Sequence, residues 1–222
     1  MKATSAAKDR ALDYVKSQVL TGAFPGGELI SEGEVASVLG MSRTPVREAF
    51  LQLEAAGLLR LYPKRGALVV PVSPGEVRAV LEARLLMEDF AAGAVIQRGL
   101  SACTAVFEQL SAQVQHQREA ATAAQLPDFL ESDRAFHQIT LDAAGNTILA
   151  GFYSTLRDRQ MRMIGESARD AQRLVTIISE HQRIAEALRD GDLPAARQAV
   201  RAHLASTTRA LGLAADPALD RP

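Results

Sequence analysis

From Ser73 onward the sequence offers no alternating or β-branched run that reads as a strand, only amphipathic stretches separated by short breaks. A region patterned this way can bury its apolar faces only by packing helix on helix, so it is expected to form an all-helical bundle. The periodicity predicts helices near 76–98, 102–120, 127–143, 146–165, 169–190 and 194–212. Their start is marked by "PVSPGE", with Ser73 as N-cap, Pro74 at the first helical position and Glu76 completing a capping box. The same segment is the expected domain boundary, dividing the chain into residues 1–72 and residues 73–222.

The first of these parts has a different grammar. Residues 8–21 predict a helix with Leu12, Val15 and Val19 on one side, and "GAFPGGELI" breaks it. "SEGE" at 31–34 is a capping box that opens a short helix bearing Val35, Val38 and Leu39, closed by Gly40. A second helix follows in "SRTPVREAFLQLEAAG", with Ser42 as N-cap, Pro45 in the first turn and Gly57 at the end. "LLRLYPKRGALVVPV" then predicts two short strands around a Pro-Lys-Arg-Gly turn. The expected fold class is therefore mainly α: an N-terminal winged helix-turn-helix with a small β-hairpin, plus the C-terminal all-α helical bundle.

Charge supports a division of labour. The chain carries a net −1, but the 23 residues from Arg43 to Arg65 hold five basic residues (Arg43, Arg47, Arg60, Lys64, Arg65) against Glu48 and Glu54. A local basic patch on a near-neutral chain is the footprint of a nucleic-acid-binding module joined to a partner domain. In the second helix Val46, Phe50 and Leu53 face inward, while Arg43 and Arg47 share the opposite face near the N-terminus, where a recognition helix meets base edges. An arginine fork donates two hydrogen bonds to guanine O6 and N7. Ser42 and Thr44, with the free amides of the helix start, suit phosphate. Lys64 and Arg65 in the hairpin turn would form a wing, with Gly66 allowing close approach. Singly, these arginines are ordinary solvated charges. As an ordered set of helix, turn, Arg-bearing helix and basic hairpin, they point to double-stranded DNA.

The stretch "FPGGELISEGEVASVLGMSRTPVREAFLQLEAAGLLRLYPKRGALVV" resembles the winged-helix domain of the GntR family of bacterial transcription regulators, with "SRTPVREA" its most characteristic run. The resemblance implies DNA contacts from Ser42, Arg43, Thr44, Arg47 and Gly66. One position departs from it: Gly33 stands where some relatives carry a DNA-contacting arginine.

The second part is distinctive for its histidines. Of the four in the chain, three fall on apolar helical stripes: His137 with Phe136 and Leu141, His181 with Ile177, Ile178 and Ile184, and His203 with Val200 and Leu204. Asp133, one helical turn before His137, shares its stripe, whereas His116 lies opposite Leu110 and Val114 and is expected to face solvent. Polar groups on core-facing stripes are costly unless paired or metal-bound. One aspartate and three histidines on the inward faces of one bundle suit a divalent transition metal, zinc first, with nickel, iron and manganese also compatible. Arg84 also lies on a core-facing stripe; it is expected either to pair with Glu88 one turn on or to clamp an effector carboxylate.

Residues 74–212 resemble the FCD ligand-binding domain of the FadR subfamily of GntR regulators, through "EARLLME", "DRAFHQIT", "EHQRIAEALRDGD" and "RAHL" in that order. The resemblance implies Asp133, His137, His181 and His203 as metal ligands and Arg84 as an effector contact. It also places Asn146 near the pocket, where helix capping is the other use for it. A count of six helices is similar to the VanR-type subgroup. One cysteine, the lack of a signal peptide at the N-terminus and the absence of a stretch near 20 apolar residues lead to a cytoplasmic location without a membrane span. The expected function is that of a homodimeric regulator, a repressor, that binds a pseudo-palindromic operator under control of a small organic acid. Two other readings stay open at this stage: a metal-dependent hydrolase joined to a DNA-binding domain, and a purely structural dimerisation bundle with hydrogen-bonded histidines.

Overall fold

The computed structural model describes residues 2–156, 159, 161, 163 and 171–213. The chain divides into two compact units, Met1–Val72 and Ser73–Pro222.

In the first unit, α1 (Lys2–Leu20) begins earlier than the periodicity indicated, because "KATSAAK" contains no helix breaker. Its Ala11, Val15 and Val19 are buried. Both bonds of the predicted capping box are present at the start of α2 (Glu32–Leu39). Glu34 N donates to Ser31 Oγ at 3.0 Å, and Ser31 N donates to Glu34 Oε2 at 3.3 Å. Gly40 ends the helix in the left-handed conformation at φ 62. The next helix, α3 (Arg43–Ala55), turns Val46, Ala49, Phe50 and Leu53 into a core shared with α1 and α2.

The hairpin gains a strand that the sequence did not reveal. Besides β2 (Leu59–Tyr62) and β3 (Gly66–Val69), the segment "GAFPGGELI" contributes β1 (Leu29–Ile30), paired antiparallel to β3 with Ile30 opposite Ala67. The sheet order is β1-β3-β2. Two residues are too few to show alternation, which is why this strand reads as a break. It also explains Gly66. That residue has φ 104, and a Cβ added there would collide with the carbonyl oxygen of Ile30.

Among the described residues, the secondary structure of the second unit is all helix. It comprises α4 (Pro74–Gln97), α5 (Leu100–Thr122), α6 (Leu126–Ala143), α7 (Thr147–Thr155), α8 (Ala171–Arg189) and α9 (Leu193–Ala210). Ser73 caps α4, its Oγ accepting from Glu76 N at 3.1 Å. The long α5 packs on α6 and α8, while α9 packs on α8 and α4, so that α4, α5, α6, α8 and α9 surround one interior. The helix expected over 146–165 is observed to Thr155. Most of its remainder, with residues 169 and 170 of the next expected helix, lies outside the described residues. Among the described residues no helix is long and apolar enough to cross a membrane.

Gly66→Ala should lower the stability of the first unit by about 1–3 kcal/mol, since alanine meets both a positive φ and the Ile30 carbonyl. A urea titration of the full chain, followed on Tyr14 and Tyr62 fluorescence, checks this. An unchanged midpoint would mean that the β1–β3 contact does not constrain position 66.

Candidate functional site

Two groups of polar residues stand out, one in each unit. In the first unit Ser42 has the extended backbone of an N-cap but makes no side-chain capping bond. Its hydroxyl and the first amides of α3 therefore remain outward-facing donors. Arg43, Thr44 and Arg47 are exposed, while Pro45 and Val46 between them, and Ala49 beyond, are buried. Arg47 Nε donates to Glu32 Oε1 at 2.9 Å. Lys64 and Arg65 are exposed in the β2–β3 turn, closed by Arg65 N donating to Tyr62 O at 3.0 Å. Lys64 holds φ 63, a conformation that costs a side-chain-bearing residue about 1–2 kcal/mol. A groove of about 600 Å³ runs between these elements, lined by Glu32, Arg43, Arg47, Lys64, Arg65 and Gly66 among others. Gly66 thus borders the groove, but its lack of a side chain already has a structural cause in β1.

In the second unit His137, His181 and His203 converge from α6, α8 and α9. One ring nitrogen of each lies within 4.8 Å of the others, and all three are buried. Each imidazole has a partner for Nδ1. His181 Nδ1 is 2.9 Å from Gln117 Oε1 on α5, and His203 Nδ1 is 2.9 Å from Glu180 Oε2 on α8. His137 Nδ1 is 3.3 Å from Glu88 Oε2 on α4. Carboxylate oxygens accept, so His137 and His203 donate from Nδ1 and keep Nε2 as an acceptor, and with Gln117 Oε1 as the accepting atom His181 does the same. Burial lowers the pKa of all three histidines, that of His181 most clearly, and the neighbouring arginines act in the same direction. The rings are neutral near pH 7.

Two contacts in this cluster carry information. His137 Nε2 accepts from an Nη of Arg84 at 3.0 Å. His181 Nε2 and Asp133 Oδ1 face each other at 3.7 Å, both fully buried and neither with a hydrogen-bond partner. Two acceptors confronting each other in a dry interior are costly, and a cation between them would relieve both. Burial pushes the Asp133 carboxyl up to about 6, against the pull of His203 and Arg84. The donor set of imidazole nitrogens and one carboxylate fits a transition ion.

Arg84 is only 1% exposed. It forms the pair with Glu88 that the sequence allowed, Nε to Oε1 at 2.7 Å, and Tyr153 Oη donates to the same oxygen at 2.8 Å. Burial works against the charge of Glu88, but Arg84 and His137 outweigh it and hold its carboxyl well below the usual range. Beside Glu88 and His137 the free volume is about 10 Å³, room for no more than a water. A larger groove, about 840 Å³ between α5 and α8, is lined by Arg118, Leu174, Ile178 and Arg183 and does not reach the histidines.

Asn146 is the N-cap of α7, its Oδ1 accepting from Leu149 N at 3.1 Å. His116 is exposed, as expected. The sequence did not single out Gln117, Tyr153, Glu180 or Arg173. Gln117 could have been found, because it continues the buried Leu110–Val114 stripe of α5 as a lone polar residue. Arg173 donates to Ser206 Oγ at 2.7 Å and Thr207 Oγ1 at 3.1 Å, with Glu180 at 3.5 Å, and only the folded α8–α9 pair brings these together.

Comparison with known proteins agrees with this division. The model of the bacterial regulatory proteins of the gntR family matches residues 7–69, and that of the FCD domain matches residues 79–206. An HTH-type transcriptional regulator in an unstable DNA locus of Streptomyces ambofaciens is 33% identical, covering 92% of this chain and 85% of its own. The HTH-type transcriptional repressor RspR of Escherichia coli K12 is 32% identical over 80% of this chain and 77% of its own. Among solved structures, E. coli McbR/YncC has the same fold, with a TM-score of 0.72 at 20% identity over 93% of this chain and 97% of that one. The chain belongs to the gntR family of bacterial regulatory proteins and carries an FCD domain, which makes it a DNA-binding regulator with a C-terminal ligand-binding domain rather than an enzyme.

Proposed function

We propose that this regulator is a homodimeric, metal-containing repressor whose hold on a pseudo-palindromic operator is controlled by a small organic acid bound in the helical bundle. The observation that carries the reading is the confrontation of His181 Nε2 and Asp133 Oδ1, both buried and unpartnered, inside a triad of rings whose Nδ1 atoms are already engaged. Asp133, His137, His181 and His203 would hold the ion, with zinc, nickel, iron and manganese compatible with the donor set. When bound, such an ion supplies an electrophilic centre for an effector oxygen.

The chain's own residues do the rest. Gln117, Glu180 and Glu88 fix the three rings by their Nδ1 hydrogens. Without an ion the surrounding charges sum to minus one, since Asp133, Glu88 and Glu180 outnumber Arg84 and Arg173. A divalent ion reverses that sign, which favours an anionic effector. Arg84 offers the carboxylate a guanidinium, in competition with Glu88. The void beside them is too small for an organic acid, so binding has to shift the bundle toward an arrangement that admits one. The six helices defined among the described residues would fit the VanR-type subgroup.

At the other unit, Arg43 and Arg47 read guanine, Ser42 and Thr44 hold phosphate, and Lys64 and Arg65 engage the backbone or minor groove beside Gly66. Repression is supported by the likeness to RspR. Dimerisation is supported by apolar side chains exposed on neighbouring helices, Leu86 and Phe90 on α4 and Ile148 and Phe152 on α7. Two-fold symmetry then requires a pseudo-palindromic operator. The competing structural-bundle reading draws on Arg84, whose Nη already fills the coordination direction of His137 Nε2.

Metal analysis separates the two. Protein from metal-replete cells should carry a stoichiometric divalent ion, and His181→Ala should lose it while still binding operator duplex. A metal-free wild type, or full occupancy in the variant, would sink the metal reading. Arg47→Ala should weaken specific DNA binding by about 1–3 kcal/mol in fluorescence anisotropy; unchanged affinity would remove Arg47 from the interface. Leu86→Glu combined with Phe90→Glu should convert the dimer to a monomer in sedimentation velocity and weaken operator binding. A dimer that persists would place the interface elsewhere.

A further inference from the structure

The side chain of Glu32 is 22% exposed and that of Arg47 is 69% exposed, yet they are joined at 2.9 Å through Arg47 Nε. The guanidinium is thus anchored through Nε to the more sheltered of the two side chains, and Arg47 lines the groove between α2, α3 and the hairpin. A guanidinium has five N–H donors in a planar fork. With Nε given to Glu32, the two terminal nitrogens remain, and they are the pair that guanine O6 and N7 accept from.

Glu32 is itself fixed. It is the first residue of α2, directly after Ser31, and the reciprocal Ser31–Glu34 capping box defines the start of that helix. Its carboxylate also lies at a helix N-terminus, where negative charge is favourable. The next residue serves the other recognition arginine. A Cβ added at Gly33 would lie 3.2 Å from an Nη of Arg43, so the bare backbone at 33 leaves room for the Arg43 guanidinium. One turn of α2 thus abuts both arginines, restraining Arg47 by a bond and admitting Arg43 by an absence.

We infer that Glu32 is a specificity-determining positioning residue of the DNA interface, holding Arg47 in the pose that reads guanine. It acts in two ways. The bond removes rotamer freedom from a long side chain before DNA arrives, so less is lost on binding. The carboxylate is also a negative charge on a groove that meets phosphates, which disfavours complexes lacking the guanine contact. Base discrimination therefore exceeds what Arg43 and Arg47 alone would give, at some expense in overall affinity.

This inference rests on Arg47 reading a base, and the test keeps the two apart. A duplex selected from a random library by the wild-type full chain serves as operator, and a scrambled duplex serves as the non-specific probe. Glu32→Ala should bind the scrambled duplex as well as or better than wild type. Its ratio of specific to non-specific affinity should fall roughly tenfold, the scale of one lost bidentate base contact. Repeating the selection with Glu32→Ala should relax the preference at a single guanine in each half-site. In an Arg47→Ala background, Glu32→Ala should change that ratio no further, because the group it positions is gone. Glu32→Gln, which keeps an acceptor oxygen, should recover part of the discrimination. If Glu32→Ala weakens both duplexes equally, or leaves the selected sequence unchanged, Glu32 is not a positioning residue. If Arg47→Ala itself leaves operator affinity intact, the base-reading role of Arg47 fails first.

Discussion

Each buried imidazole of the bundle donates its Nδ1 hydrogen to a side chain from a different helix: Glu88 of α4, Gln117 of α5 and Glu180 of α8. That constraint organises the second unit. It joins five helices through polar contacts that apolar packing alone would not specify. It also explains how neutral histidines persist in a core. A single strong acceptor per ring satisfies the one N–H that a neutral imidazole carries, and burial disfavours a second proton.

The first unit solves the opposite problem, keeping charged side chains outside while fixing where they point. Its small core of Val15, Val46, Phe50 and Leu53 holds α1 and α3 together, and the capped start of α2 sets the floor of the groove. β1 adds only two residues, but pairing with β3 anchors one end of the basic hairpin, so that Lys64 and Arg65 extend from a supported sheet. The positive φ of Lys64 fits this picture. A glycine would adopt it at no steric cost, so retaining a lysine there spends local stability on a cation at the tip.

Much of this was legible in the sequence because it rests on local rules. The Ser31 capping box, the Gly40 stop, the all-helical second part and the inward faces of His137, His181 and His203 follow from spacing alone. What escaped depends on contacts between distant segments. β1 is too short to show a period, and Gly66 looked like an opening for DNA because the carbonyl it accommodates belongs to Ile30, far back in the chain. Asn146 had two readings from sequence, and the bond to Leu149 N forms the local one. Arg84 also had two, and the pair with Glu88 is formed, with an Nη on His137 besides. Arg173 and Glu180 gave no signal, since Ser206 and Thr207 lie on another helix.

Stability is a weak explanation for so much buried charge. A buried ion pair is often matched or bettered by apolar residues of the same volume, whereas removing one partner is strongly destabilising. Arg84, Glu88, Asp133, Arg173 and Glu180 around three histidines therefore make an expensive way to fill a helical core. The hydrogen bonds among most of them limit that cost, but His181 Nε2, Asp133 Oδ1, Gln117 Nε2 and Arg173 Nε are left without partners. Under the proposed function this incompleteness is the useful part. A fully satisfied network would gain nothing from a cation, while one that leaves His181 Nε2 and Asp133 Oδ1 facing each other gains from whatever positive centre joins them. That difference is the only source from which a ligand can shift a conformational equilibrium. On that proposal, the small volume around His137 would link ligand entry to movement of the helices that carry the donors.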